Sequence, residues 1–282
     1  MITVHTKLIA LLGNPVEHSV SPKMQNYVYE KIGYDACYFP VECDQEHLGD
    51  IINAVRYMNF AGLGLTTPNK EAAMQYMDEI DELAAKMGAI NTVVKNGTRL
   101  KGYNTDGEGA VKSLKDEGVD IGNSTYFVWG AGGAGKSVCY TLVYRGAKHI
   151  YICDIPEKCE QMAAELNEKF PGTSAVAVHL GDGEKIREGI EKADVLLNLS
   201  GLGMSGKENL TPVDASLIQS RHICFDATYK PERTRFLREA EAKGCRVING
   251  LGMVVNQGAL QVQLWAGCEP PYEEMRKGAL GL

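Results

Sequence analysis

The chain lacks the features that mark membrane-spanning, secreted and metal-binding proteins. Its 282 residues contain no apolar run long enough for a membrane helix. The apolar run nearest the N-terminus, residues 8–12, is also too short for a signal peptide. The 8 cysteines form no Cys-x-x-Cys pair, and the 6 histidines are scattered without the spacing of zinc ligands. We therefore predict a cytoplasmic protein with reduced, buried thiols, no metal and no membrane partner.

Long blocks of one charge are also missing. The 29 basic and 36 acidic residues give a net charge of −7 and are spread along the chain, so no basic patch indicates a nucleic-acid partner. The length is sufficient for two modest domains, each with its own core. The sequence leaves the oligomeric state open between a monomer and a homodimer.

What the sequence does contain is an alternation of strand-like and helix-like segments, which predicts an α/β fold with mainly parallel sheets. In the N-terminal block, a strand at residues 8–13 precedes a helix from Pro22 to Gly33, and a second helix spans residues 48–58. A two-residue turn at Asn96-Gly97 predicts a hairpin in which Lys95 pairs with Thr98. This pairing brings Asn91 and the segment 104–106 to the same end of the hairpin, the end opposite the turn.

In the C-terminal half, strands and helices alternate regularly. Strands are predicted near residues 149–153, 175–179, 194–197, 222–225 and 246–248, with helices between them. This is the pattern of a doubly wound sheet. The last helices, at residues 253–265 and from 273 onward, follow the final strand and are expected to return to the first domain.

The most informative segment runs from Thr125 to Asp154. An apolar run ends in a glycine-rich loop, a helix follows, and a second apolar run ends in Asp154. The loop consists of Gly130, Ala131, Gly132, Gly133, Ala134 and Gly135. These glycines permit a tight turn and a close approach of the backbone to a pyrophosphate, and a carboxylate roughly 20 residues on can bind the ribose hydroxyls. The segment predicts a dinucleotide site.

The same loop also satisfies the phosphate-loop pattern of nucleotide triphosphatases. Lys136 and Ser137 stand in the positions of the lysine and the magnesium ligand, and Asp154 would then be a magnesium-binding aspartate. The apolar face of the following helix and the stop at Gly146 favour the dinucleotide interpretation. A glycine turn that binds nothing is a third alternative.

Four residues before the glycine loop are candidates for chemistry, and the first three are Ser19, Ser21 and Lys70. Ser19 and Ser21 precede Pro22, which favours an extended backbone in which both hydroxyls point the same way and bind a carboxylate. Alternatively, Ser21 is the N-cap of the helix. Lys70 is expected in the first turn of a helix capped by Thr67, where the helix dipole disfavours a cation and so assists proton transfer. A solvated surface lysine is the alternative.

Asp106 begins another predicted helix and would ordinarily be an N-cap. If its carboxylate faced Lys70, it would orient the ammonium group and complete an acid/base pair. Sequence spacing alone does not bring the two side chains together.

Taken in order, several motifs resemble the shikimate dehydrogenase family, and the resemblance covers essentially the whole chain. The matching segments are residues 13–15, 18–22, 66–70, 88–93, 102–107, 130–134, 226–231, 252–253 and 257–258. The resemblance favours a nicotinamide dinucleotide over the phosphate-loop interpretation. It implies reversible hydride transfer between C4 of the nicotinamide and the carbinol carbon of a cyclohexane or cyclohexene carboxylate, with Lys70 as proton donor and acceptor.

The family also implies an organisation and a set of roles. Residues 1–104 and 252–282 would form a substrate-binding and catalytic domain, and residues 105–251 an NAD(P)-binding Rossmann domain, with the active site in the cleft. Lys70 and Asp106 would be the catalytic pair. The substrate carboxylate would be bound by Ser19, Ser21 and Tyr229, and the ring hydroxyls by Thr66, Asn91, Asp106 and Gln257. The cofactor would be bound by Gly130, Ala131, Gly132, Gly133, Ala134, Asp154 and Gly252.

Three positions depart from the commonest family pattern, and the combination of Gly64, Pro68-Asn69-Lys70 and Gln25-Asn26 resembles the quinate/shikimate dehydrogenase branch. Gly64 stands where shikimate-specific members usually have asparagine, and Gln25 where many have histidine. Asp154 stands where NADP-dependent members have a different motif, and its carboxylate accepts from a free ribose diol but repels a 2′-phosphate. We therefore predict that NAD is preferred, that NADP is possible with Lys158 nearby, and that quinate is accepted as well as shikimate.

Three alternatives follow from the same residues. One is a strictly NADP-dependent biosynthetic shikimate dehydrogenase. The others are a phosphate-loop enzyme that hydrolyses nucleotides and a dinucleotide sensor without catalysis, which would not need Lys70 or Asp106.

Overall fold

Two six-stranded sheets divide the chain. The computed structural model describes residues 2–282, which separate into two units: the residues up to Gly109 with Val254–Leu282, and Ala110–Met253. Both boundaries lie slightly later in the chain than the predicted ones. The first lies later because the opening turn of a helix carries Asp106, whose carboxylate bonds to Lys70 and Asn91.

The elements follow the predicted alternation. Up to residue 116 they are β1 Lys7–Gly13, α1 Ser21–Ile32, β2 Ala36–Glu42, α2 Leu48–Tyr57, β3 Phe60–Leu65, α3 Asn69–Ala72, β4 Glu79–Ile80, α4 Glu82–Met87, β5 Thr92–Asn96, β6 Arg99–Tyr103 and α5 Asp106–Asp116. They continue with β7 Thr125–Trp129, α6 Gly133–Tyr144, β8 His149–Asp154, α7 Pro156–Lys169, β9 Ser174–His179, α8 Gly183–Lys192, β10 Val195–Asn198, β11 Ile223–Asp226, α9 Arg235–Ala242, β12 Arg246–Asn249, α10 Leu251–Ala266 and α11 Tyr272–Leu280.

The first unit contains a mixed sheet of order β2-β1-β3-β5-β6-β4. β1 runs parallel to both β2 and β3, so that the last residues of these three strands, Gly13, Glu42 and Leu65, end at one edge. We call it the carboxyl edge. α10 packs on this sheet, and the indole Nε1 of Trp265 donates to the backbone oxygen of Val93 at 3.0 Å. Ion-binding and catalytic loops gather at such edges.

The hairpin between β5 and β6 has a different register from the predicted one. Asn96 pairs with Arg99, and Lys95 pairs with Leu100 rather than with Thr98. The two-residue turn is therefore Gly97-Thr98. Among the described residues only glycines have a positive φ, and Gly97 has a φ of 60°. The turn thus needs glycine only at its first central position, as a type II′ turn does. The register error does not change which end of the hairpin carries Asn91.

Two predicted helix starts are also displaced. α1 begins at Ser21, and its N-cap is Val20 in the right-handed helical region, so residues 19–21 are not extended and Ser21 is not the cap. The disfavoured helical conformation before Pro22 is accepted here within the first turn. α3 has Pro68 as its N-cap rather than Thr67, and it is only four residues long.

The second unit contains a fully parallel sheet of order β12-β11-β10-β7-β8-β9. Strand order reverses between β7 and β10, which is the topological switch point of a doubly wound fold. Each of the five strands predicted after the glycine loop is present. Its core is rich in buried aromatic side chains, among them Phe127, Trp129 and Phe236.

Several negative observations apply to residues 2–282. In this part of the chain no helix combines the length and the apolarity that a membrane span requires. No group of three or more His, Cys, Asp or Glu side chains is placed to hold a metal ion. The eight cysteines are free, and Cys268 is exposed whereas most of the others are buried.

Candidate active site

The carboxyl edge of the first sheet gathers polar side chains from three places in the chain. Lys70 lies beyond the end of β3, Asn91 precedes β5, and Asp106 follows β6. β5 runs antiparallel to β3, with Gly64 opposite Thr92, so β5 starts where β3 ends. Asn91 is bonded to both neighbouring strands through its backbone. This topology, and not sequence proximity, brings the three side chains together.

Lys70 and Asp106 form a close ion pair. The Nζ of Lys70 lies 2.6 Å from Oδ2 of Asp106, and the two side chains are 27% and 17% exposed. The other carboxylate oxygen, Oδ1, accepts from Nδ2 of Asn91 at 2.8 Å. The carboxylate is therefore held at both oxygens, while the ammonium group stays accessible. A charge-assisted pair of this kind is stronger than a neutral hydrogen bond and fixes the direction of the lysine side chain.

The turn that carries Lys70 is held by the loop after β2. Nδ2 of the buried Asn69 donates to the backbone oxygen of Cys43 at 2.8 Å, and Nε2 of Gln45 donates to the backbone oxygen of Pro68 at 2.9 Å. Because α3 is a single turn, the helix dipole invoked from the sequence is small here. The Asp106 carboxylate, and not a dipole, is the main electrostatic partner of Lys70.

The other predicted substrate residues of the first unit lie at the same edge. Ser19 and Ser21 follow β1 and are half-buried, and Oγ of Ser19 accepts from the backbone N–H of Ser21 at 3.3 Å. Thr66 directly follows β3 and donates its backbone N–H to Leu12. Gln257 lies on α10, and its Oε1 accepts from the Thr105 hydroxyl at 3.4 Å.

In the second unit the glycine loop follows β7 and leads into α6. Gly130 has a φ of 107°, which favours glycine. A Cβ atom at Gly135 would lie 1.9 Å from the backbone oxygen of Gly130, so the helix can pack against the strand only with glycine there. The first N–H groups of α6 are available to an anion. The loop therefore fits a dinucleotide pyrophosphate.

Asp154 lies at the end of β8, beside this loop. Its Oδ2 accepts from the backbone N–H of Ala131 at 2.6 Å, and its Oδ1 accepts from the N–H of Ile155 at 2.7 Å. The carboxylate is partly exposed. It has further lone pairs for the diol of a ribose. Sequence reasoning did not anticipate that Asp154 also anchors the glycine loop.

Tyr229 lies in the loop after β11, which a buried carboxylate organises. Asp226 ends β11 and accepts from Nδ2 of Asn198 at 2.9 Å and from the Thr234 hydroxyl at 2.7 Å. Burial raises the pKa of Asp226, and these hydrogen bonds act against that rise. Gly252 lies in the first turn of α10.

Comparisons with known proteins identify the family of this chain. Residues 11–93 match the model of the shikimate dehydrogenase substrate binding domain, and residues 250–279 match that of the shikimate 5'-dehydrogenase C-terminal domain. The shikimate dehydrogenase (NADP(+)) of Alkaliphilus metalliredigens is 37% identical over 278 residues, which are 98% of this chain and 97% of that protein. The chain belongs to the shikimate dehydrogenase family.

Solved structures of this family extend the comparison to the fold. Shikimate 5-dehydrogenase from Listeria monocytogenes, in complex with shikimate and NAD, has a TM-score of 0.95 and 34% identity, covering 98% of this chain and 97% of that one. Quinate dehydrogenase from Corynebacterium glutamicum, in complex with NAD, has a TM-score of 0.90 and 28% identity, covering 98% and 99%. The predicted two-domain α/β class is confirmed.

Tyr38 is a residue near the site that the sequence did not indicate. A Cβ atom at Gly64 would lie 2.3 Å from the Tyr38 hydroxyl oxygen. This hydroxyl is buried and has no hydrogen-bond partner among residues 2–282. Burial also raises the pKa of the phenol. The space that a Cβ atom at residue 64 would need is therefore filled by the Tyr38 hydroxyl.

We expect Gly64→Ala to lower the free energy of unfolding by about 1–3 kcal/mol, because the new methyl group overpacks against Tyr38. In a Tyr38→Phe background the nearest remaining contacts at Gly64 are 3.3–3.4 Å, so the penalty shrinks. Chemical denaturation of the wild type, both single variants and the double variant measures this coupling. Additive effects of the two substitutions would show that the hydroxyl does not occupy the Gly64 space.

Proposed function

We propose that this protein catalyses reversible hydride transfer between a nicotinamide dinucleotide and the ring hydroxyl of shikimate, and that it accepts quinate too. The Lys70–Asp106 ion pair is the observation that carries the proposal. In this pair the carboxylate orients the Lys70 ammonium group, a proton donor, at a sheet edge lined with hydroxyl and amide groups. The shikimate and quinate dehydrogenases among its relatives support both substrates.

The geometry of the pair supports the catalytic roles that we assign to it. In alcohol oxidation Lys70 accepts the hydroxyl proton, directly or through water, and in ketone reduction it returns that proton. Asp106 keeps the Lys70 side chain in place through the 2.6 Å contact. When bound, the nicotinamide ring accepts or supplies the hydride. The ketones formed are 3-dehydroshikimate and 3-dehydroquinate.

Substrate binding is proposed for the residues that the family motifs indicate. The carboxylate of the substrate is assigned to Ser19, Ser21 and Tyr229, and the ring hydroxyls to Thr66, Asn91, Asp106 and Gln257. Nδ2 of Asn91 already donates to Thr105 and Asp106. A ring hydroxyl at Asn91 would therefore share one of these existing bonds.

For the cofactor we propose the glycine loop from Gly130 to Ala134, together with Asp154 and Gly252. We retain the prediction that NAD is preferred, because a carboxylate in the position of Asp154, at the end of β8 and beside the glycine loop, would repel a 2′-phosphate. Many relatives are named for NADP(+), so NADP is the competing assignment, and the NAD complex of the Listeria protein supports NAD. Cytoplasmic location and a monomeric or homodimeric state stay predictions.

Substituting Asp154 tests the preference for NAD over NADP. We expect Asp154→Ala to lower the ratio of kcat/KM for NAD to kcat/KM for NADP by about tenfold or more. The substitution removes the repulsion between a carboxylate and the 2′-phosphate of NADP, and tenfold corresponds to roughly 1.4 kcal/mol. Affinity for both cofactors also falls, since the Ala131 N–H loses its carboxylate partner. An unchanged ratio in steady-state assays would mean that Asp154 does not meet the ribose.

The primary test is the appearance of reduced-nicotinamide absorbance with shikimate or quinate, each combined with NAD⁺ and NADP⁺. Turnover of both acids with NAD⁺ is the expected result. Turnover of shikimate with NADP⁺ alone would indicate the NADP-dependent biosynthetic enzyme. If neither acid is oxidised, a parallel assay of ATP hydrolysis and a cofactor titration distinguish the phosphate-loop enzyme from the sensor without catalysis.

A further inference from the structure

A line of buried polar side chains runs behind the Lys70–Asp106 pair. We call it the amide chain, and it consists of Gln25 on α1, Gln261 on α10, Thr92 at the start of β5, and Asn91. All four are at most 4% exposed. Burying so many polar groups costs free energy unless each is bonded, so their arrangement calls for a reason.

The orientation of Asn91 is fixed by its neighbours. The Asp106 carboxylate accepts from Lys70, so the group that faces its other oxygen, 2.8 Å away, is the Nδ2 donor of Asn91. The backbone N–H of Thr105 can only donate, and it lies 2.9 Å from Oδ1 of the same amide. One end of Asn91 therefore donates and the other accepts, without ambiguity.

The rest of the amide chain follows from that orientation. The Thr92 hydroxyl lies 2.7 Å from Oδ1 of Asn91 and must donate its single proton to it. The same hydroxyl then accepts from Nε2 of Gln261 at 3.0 Å. Oε1 of Gln261 in turn accepts from Nε2 of Gln25 at 3.2 Å. Each donor points towards Asp106.

We propose that Thr92 and Gln261 are positioning residues that fix the Asn91 amide and, through it, the carboxylate that orients Lys70. A rotated Asn91 amide would turn its oxygen towards the Asp106 carboxylate and repel it. Together with the backbone N–H of Thr105, the hydroxyl of Thr92 and the amide of Gln261 oppose this rotation without adding a charge near the pair. The inference rests on the proposed function, because it gives these residues a part in the same reaction.

The test compares Thr92→Val with Thr92→Ser in steady-state assays with shikimate. Valine has nearly the shape of threonine but donates no proton, so we expect kcat to fall on the order of tenfold to hundredfold, with a smaller change in KM. Serine retains the hydroxyl and is expected to restore kcat. Gln261→Met is expected to show a smaller fall, because Thr92 can still donate to Asn91.

Thr141→Val is the matched control. Thr141 is fully buried in α6, and its hydroxyl donates to the backbone oxygen of Ser137 at 2.8 Å. This substitution removes a buried hydroxyl outside the amide chain, so the Tm falls while kcat stays at the wild-type value. If Thr92→Val lowers only the Tm, or if Thr92→Ser is as slow as Thr92→Val, the inference is wrong.

A crystal structure of Thr92→Val supplies a readout that does not depend on activity. We expect the contact between Nδ2 of Asn91 and Oδ1 of Asp106 to lengthen beyond its present 2.8 Å. An unchanged contact would overturn the positioning role even in a protein that does not oxidise shikimate. A wild-type protein without turnover would instead overturn the proposed function alone.

Discussion

Replacing Lys70 by alanine is expected to lower kcat for shikimate oxidation by about 10²–10⁴-fold, the range that a positioned general acid or base contributes. The substitution removes the ammonium group that lies 2.6 Å from Asp106 and leaves this carboxylate with its hydrogen bond from Asn91. Steady-state kinetics with saturating cofactor measures the loss. Affinity for the cofactor, followed by the quenching of protein fluorescence, is expected to change little, because Lys70 belongs to the substrate side of the proposed reaction.

Two variants separate this effect from the loss of an ion pair. Lys70→Met keeps most of the side-chain volume, and it is expected to be as slow as Lys70→Ala. Lys112→Ala removes a lysine from an exposed ion pair, whose Nζ lies 3.1 Å from Asp116, and it leaves turnover unchanged. Wild-type turnover in Lys70→Ala would remove Lys70 from the mechanism.

The strand and helix alternation of the second unit was predictable because each of its elements carries a local signal. Apolar runs such as residues 149–153 lie between glycines and helical segments, and a parallel sheet buries such runs on both faces. The α/β fold class follows from this alternation of strands and helices. Turn geometry was less predictable, since Asn96-Gly97 and Gly97-Thr98 both offer a two-residue turn around the same glycine, and only the pairing of Asn96 with Arg99 distinguishes them.

The candidate site shows a similar limit. Lys70 and Asp106 each stood out by the motifs around them, but their 2.6 Å contact depends on the antiparallel course of β5 beside β3, which no local pattern specifies. Tyr38 carried no signal, because an aromatic residue within a strand is ordinarily a packing residue. The bond from Ala131 to Asp154 also joins segments whose approach depends on the fold.

The second large effect is expected at Gly135, the last glycine of the glycine-rich loop, where α6 packs closely against the end of β7. Gly135→Ala would place a Cβ atom 1.9 Å from the backbone oxygen of Gly130. Both partners are fixed, one by β7 and the other by α6, so the loop must open or the helix must move. We expect a loss of about 3 kcal/mol or more in the free energy of unfolding, at the upper end of the usual cost of overpacking, together with loss of cofactor binding.

Gly133→Ala is the matched control for stability, because a Cβ atom there meets no heavy atom within 4 Å and the residue lies in the first turn of the same helix. Alanine favours helix over glycine by about 1 kcal/mol, so this variant keeps or slightly raises the Tm. Differential scanning calorimetry of the two variants, with and without NAD, measures the contrast. Equal melting temperatures would mean that the strand–helix contact at Gly135 tolerates a side chain, and the argument from this loop to a dinucleotide would lose its structural basis.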